Sequence, residues 1–177
     1  MKKSKLAVYS IGFIIVSCFL MMTSCGSKQS GSNNSQSSEG ISDKEKDKLI
    51  QSQNYRKACE LKEFLTAYQI VDKLKEETSE AKSHYELTKD MSMIGDQRLS
   101  DYNEAKKKSD EAERYVVLQE AMLVLESEGT NGLMRIVGIA KEHSAEGWLY
   151  SELLDIAKKI GDNDLKERIQ NIIETSE

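Results

Sequence analysis

From Ser42 onward, apolar side chains recur three and four positions apart, with charged residues filling the intervals. That spacing is the period of an amphipathic α-helix, and runs of β-branched residues that would argue for strands are scarce. Ser42-Asp43-Lys44-Glu45 reads as a capping box and predicts a helix starting at about Asp43. It carries Leu49, Ile50, Ala58 and Leu61, then either turns near Lys62-Glu63 or runs straight on. Phe64, Leu65, Tyr68, Val71 and Leu74 form the next stripe. A further helix is expected over 80–92, with Ala81, Tyr85 and Met91 facing inward, and Gly95-Asp96 as its stop signal. Leu99, Tyr102 and Ala105 begin another, which weakens into Lys106-Lys107-Lys108 before a fresh cap at Ser109-Asp110-Glu111. Residues 112–125 are the most apolar stretch of this region and are placed at the centre of the core.

The last third is well punctuated. Gly129-Thr130-Asn131-Gly132 predicts a tight turn. Leu133, Ile136, Val137 and Ala140 make one short helix, ending around residues 143–147. Trp148, Leu149, Leu153, Leu154, Ile156, Ala157 and Ile160 make another, stopped by Gly161. Asp162-Asn163-Asp164 then caps a final helix carrying Leu165, Ile169, Ile172 and Ile173. The fold class expected is all-α, built from antiparallel helical hairpins that either stack as a short solenoid or close into an irregular bundle.

Two of these helices echo each other. Leu133, Ile136, Val137, Ile139, Ala140 and Lys141 are matched seventeen positions later by Tyr150, Leu153, Leu154, Ile156, Ala157 and Lys158. Seventeen residues is half of a 34-residue helix-turn-helix unit, so this stretch resembles tetratricopeptide repeats. That resemblance implies a solenoid with a concave face that receives a peptide.

The first twenty-five residues follow a different pattern. Lys2, Lys3 and Lys5 precede an apolar run over 6–22, closed by Met22-Thr23-Ser24-Cys25. A charged start, an apolar middle and small residues before a cleavage point make a secretory signal. An uncleaved span wants about 20 predominantly apolar residues, and this run is diluted by Tyr9, Ser10, Gly12 and Ser17. The closing four residues resemble a bacterial lipoprotein signal. The resemblance implies that residues 1–24 are removed and that Cys25 is acylated, which tethers the protein to a lipid bilayer. A plain anchor or an ordinary signal is the alternative. Residues 25–41 are rich in Ser, Gly and Asn and cannot bury apolar surface. They read as a flexible linker of roughly 20–25 Å average span, ahead of an all-α domain over 42–177. In the lipoproteins that this signal resembles, an acidic run just after the cysteine can direct export to the surface; none follows Cys25, so the resemblance implies an outer membrane location facing the periplasm over the cell surface.

Charge and cysteine usage narrow the function. Loss of Lys2, Lys3 and Lys5 with the signal takes the net charge from −5 to −8, an acidic body unsuited to nucleic acid. Cys18 leaves with the signal and Cys25 is acylated, so Cys59 stands alone as a small core residue, without a disulfide partner. His84 and His143 are the only histidines; Glu80 and His84 read as a surface pair, and His143 as a helix-end residue. No phosphate-cradling glycine loop, nucleophile elbow or zinc motif is present. The expectation is a non-enzymatic scaffold or adaptor that binds an envelope protein or peptide, with no cofactor or metal. Candidate partner-binding residues are Trp148, Tyr150, Tyr68 and Tyr102, and a subset of Tyr55, Tyr68, Tyr85, Tyr102 and Tyr115 is expected to line a groove. Two alternatives stay open. One is a ligand-binding or hydrolytic protein with a pocket near Glu142 or Asp155; the other is a self-associating spacer.

Overall fold

The Ser42 capping box forms in the computed structural model, which describes residues 41–176. The Ser42 amide and hydroxyl donate to Glu45 Oε2 at 3.1 and 2.7 Å. These two donors hold the Glu45 carboxyl below its ordinary pKa. Helix α1, Asp43–Gln51, follows. A single helix through Leu61 is not what forms, because Gln53 takes a left-handed φ of 53° and Asn54 caps a new helix. Asn54 Oδ1 accepts from the Lys57 amide at 3.1 Å and starts α2, Tyr55–Glu60. The turn expected at Lys62-Glu63 is present, with Lys62 at φ 61°.

Two long helices come next: α3, Phe64–Thr88, and α4, Ser92–Glu128. The sequence predicts two interruptions in α4 that do not occur. Gly95 lies in its first turn, where a Cβ would stand 2.9 Å from the carbonyl oxygens of Thr88 and Lys89. The glycine therefore lets α4 close over the end of α3 and does not stop a helix. The lysine run does not break the helix either. Lys106–Asp110 and Lys107–Glu111 are ion pairs one turn apart that bridge the expected break. The expected start of a separate helix at residue 80 is likewise absorbed into α3.

The remaining elements match their predicted punctuation. A 3-10 turn over Gly129–Gly132 leads to α5, Leu133–Glu142, and then α6, Glu146–Ile160. Gly161 adopts the left-handed conformation (φ 72°) that ends α6. Asp162 Oδ1 accepts from the Leu165 amide at 3.0 Å and opens α7, Asn163–Ser176. The described residues are thus all-helical. No helix among them is long and apolar enough to cross a membrane.

Helices α3 and α4 form an antiparallel hairpin. Tyr68 faces Glu120, Lys75 faces Glu113 and Tyr85 faces Tyr102, so the register runs backward along α4 as it advances along α3. Its base is buried and its far end is not. One core cluster joins α2, α3 and α4 through Ala58, Cys59, Ala67, Ile70, Val71, Leu74, Ala112 and Val116. The other joins α4 to α7 through Val117, Ala121, Val124, Ile136, Leu149, Leu153 and Ile169. The predicted central segment supplies residues to both. On α3 the expected Val71 and Leu74 are buried and Phe64 and Tyr68 pack against the cluster, but Leu65 is 75% exposed and the buried face also takes in Thr66, Ala67 and Ile70. Met91, expected to face inward, is exposed at the hairpin tip with Leu87, Met93 and Ile94.

The seventeen-residue echo marks equivalent buried positions. Leu133 and Tyr150, Ile136 and Leu153, and Ala140 and Ala157 all enter the same cluster. Helix lengths are otherwise unequal, from 6 residues in α2 to 37 in α4. Burial assigns the stability. Leu153→Ala, at a site 1% exposed, should cost about 2–5 kcal/mol in urea unfolding. Met134→Ala, at a site 77% exposed, should stay within about 0.5 kcal/mol.

Candidate interaction groove

Arginine on aromatic faces defines the one open groove we single out. Arg56 reaches from α2 so that its guanidinium carbon lies 4.7 Å from the ring centre of Tyr115 on α4 and 5.7 Å from that of Tyr55. Tyr55 and Tyr115 meet edge to face at 5.7 Å. Arg114, one residue before Tyr115, lies 4.9 Å over the Trp148 ring of α6 and donates to Glu152 Oε1 at 3.0 Å. Leu118, a turn beyond Arg114 on α4, contributes apolar surface, and Glu111 closes the α4 side. The groove encloses about 410 Å³ and is open to solvent.

These contacts follow from helix geometry. Glu111, Arg114, Tyr115 and Leu118 are three, four and seven positions apart and share one face of α4. The adjacent residues Val116 and Val117 point into the two clusters, which leaves that face outward. Trp148 stands in the first turn of α6 beside Leu149, which is fully buried, so its own ring lies half-buried at the rim. Each guanidinium sits over a ring and also makes one polar contact, Arg114 to Glu152 and Arg56 to Tyr55, which leaves further N–H groups to donate. Exposed cation–π contacts of this kind contribute about 0.5–1 kcal/mol.

The four candidate residues do not converge. Trp148 lines the groove. Tyr150 is 5% exposed and is a core residue, out of a partner's reach. Tyr102 stacks on Tyr85 at 6.4 Å along the hairpin. Tyr68 belongs to a polar junction of α3, α4 and α5, where its hydroxyl donates to Glu120 Oε2 at 2.7 Å and its ring stacks on His143 at 4.4 Å. His143 Nδ1 lies 3.7 Å from Glu113 Oε1, which also accepts from Lys75 at 2.6 Å. Burial, then the Glu120 hydrogen bond, raises the Tyr68 pKa. Cys25 lies outside the described residues. Arg56 and Arg114 are the residues missed in the sequence. Their signal was there, in Tyr55-Arg56 and Arg114-Tyr115, but alternating charge reads first as a solvated helix face.

Glu142 is exposed, and Asp155 is exposed and paired with Lys158 at 3.1 Å; neither enters the groove. Among the described residues, no group of three or more His, Cys, Asp or Glu side chains is placed to hold a metal ion. The chain matches no protein-family model, no curated protein and no solved structure.

Cys59 is buried, as expected of a core cysteine. Burial, with Glu120 and Glu60 nearby, pushes its thiol from the ordinary 9.0 up to about 12. The folded state therefore holds a proton that the unfolded state releases near pH 9. This contribution to stability is complete below that pH and declines from there towards pH 12. Denaturation midpoints should fall over this range, with a slope of up to about 1.4 kcal/mol per pH unit from this group. Cys59→Ala should remove that part of the slope, leaving the contributions of Tyr68, Tyr115 and Tyr150, whose pKa values burial also raises.

Proposed function

We propose that the protein is a lipid-anchored envelope lipoprotein whose helical domain docks a peptide segment of another envelope protein, as a non-enzymatic adaptor. The groove between α2, α4 and α6 carries this reading: two arginines sit over aromatic rings beside Leu118, in an open cleft of about 410 Å³. Aromatic and arginine side chains are enriched at binding hot spots, because they offer large rigid contact area together with hydrogen-bond donors. An open cleft with both kinds of group suits an extended segment passing through it.

The tether supports the same reading. With Met22-Thr23-Ser24-Cys25 as the processing signal, two or three acyl chains on Cys25 anchor the protein stably, at about 0.8 kcal/mol per buried methylene. Confinement to the outer membrane's periplasmic face then raises the domain's effective concentration near membrane partners.

Two measurements test the two halves. Cells producing the full chain and fed an alkynyl fatty acid should label it strongly, and Cys25→Ala should lose the label; equal labelling of both would overturn the anchor. Trp148 is the only tryptophan, so its emission reports the groove directly. A randomised peptide pool should shift that emission in the native chain and leave it unshifted in Leu118→Glu. An unresponsive native chain would overturn the docking function.

A further inference from the structure

Arg56, whose guanidinium hydrogen-bonds to Tyr55, is the groove's cation without a close carboxylate. Glu111 is engaged by Lys107 at 3.8 Å, and Glu152 by Arg114 at 3.0 Å. Among the described residues no carboxylate lies within ion-pair distance, 4.0 Å, of the Arg56 guanidinium. Glu111 acts on it only from farther off. Residues 41–177 nevertheless carry a net −8, the chain's −5 less the +3 of Lys2, Lys3, Lys5, Lys28 and Glu39. In so acidic a body, an arginine seated over two tyrosines and left without a close carboxylate is an arrangement that awaits one.

We infer that Arg56 is a carboxylate clamp, and that the groove recognises a peptide with a single internal Asp or Glu side chain next to an apolar residue. This rests on the docking function proposed above. The hydrogen bond to Tyr55 and the Tyr115 ring 4.7 Å from the guanidinium carbon restrain the Arg56 head group, so less side-chain freedom remains to be lost when a carboxylate accepts two parallel N–H bonds. The apolar neighbour of the bound carboxylate rests on Leu118 and the exposed part of Trp148, across the floor of the same groove. One carboxylate is the number that fits. Glu111 and Glu152 flank the site, and both they and the net −8 of the body repel a polyacidic segment. A lone acid between uncharged residues meets Arg56 with the least of that repulsion.

The test uses the full chain in mild detergent with three randomised nonapeptide pools. The first is blocked at both ends with Glu fixed at the centre. The second is identical with Gln at the centre. The third has central Gln and a free C-terminal carboxylate. The native chain should retain the Glu pool at least tenfold better than either Gln pool. Arg56→Gln should bring the ratio close to one, and Arg56→Lys should keep part of it, with unchanged circular dichroism in both variants. Equal retention of the two blocked pools, lost in Leu118→Glu, would overturn the clamp while leaving the docking groove in place. Discrimination that survives Arg56→Gln would overturn it as well. Preference for the free C-terminal carboxylate would overturn the internal side chain as the source. Retention of no pool, with Trp148 emission unmoved, would overturn the docking function itself and the clamp with it.

Discussion

One strip of small side chains along α4 holds the two halves of the fold in contact. Ala112 and Val116 pack towards α2 and α3, while Val117, Ala121 and Val124 pack towards α5, α6 and α7. Successive helical residues are separated by about 100°, so the neighbours Val116 and Val117 serve different clusters, and Tyr68 packs against both. Small side chains such as these allow packed helix axes to approach to about 8–10 Å. Larger residues would push one set of helices away to admit the other. The third face of α4 then stays outward, and its Glu111, Arg114, Tyr115 and Leu118 become the side of a groove. The groove is thus a by-product of a helix whose other two faces are already committed.

The strongest local signals in the sequence were the most legible. Capping at Ser42 and Asp162, the turn at Gly129–Gly132 and the left-handed stop at Gly161 involve short-range chemistry alone, and each forms as predicted. The all-helical class follows from three-and-four spacing without proline and forms too. Several of the failures were decided between helices. Gly95 reads as a stop in one dimension, but its missing Cβ serves the close approach of α4 to the last carbonyls of α3. Leu65 fits the α3 stripe by spacing, but the buried face set by the neighbours α2 and α4 keeps Val71 and Leu74 of that stripe, adds Thr66 and Ile70, and leaves Leu65 out. The site was half legible for the same reason. Trp148 was singled out by its rarity, but Arg56 gains its role only when α2 crosses Tyr115.

Polar side chains inside the fold are treated differently from those on the groove. Tyr68, Glu120, His143, Glu113 and Lys75 satisfy one another at the α3–α4–α5 junction. Among the described residues no buried side-chain nitrogen or oxygen lacks a partner. A satisfied network fixes the relative rotation of three helices and offers little to a ligand, because new contacts would have to break existing ones. On the groove, by contrast, each guanidinium has one polar partner, Glu152 for Arg114 and Tyr55 for Arg56, which leaves donors over.

Helix α1 is attached lightly. It buries no residue fully, and Leu49 and Ile50 touch the nearer cluster from its edge. Its start is held by the Ile41 amide on Glu63 at 3.3 Å and by Lys46 near the same carboxylate at 3.7 Å. Tension entering from the amino-terminal side therefore meets these two surface contacts before any core residue. Nine residues passing from helix to extended chain would give roughly 16 Å of slack, from about 1.5 to 3.3 Å per residue. A pull of that size spends itself on α1 and leaves the packed helices behind it undisturbed.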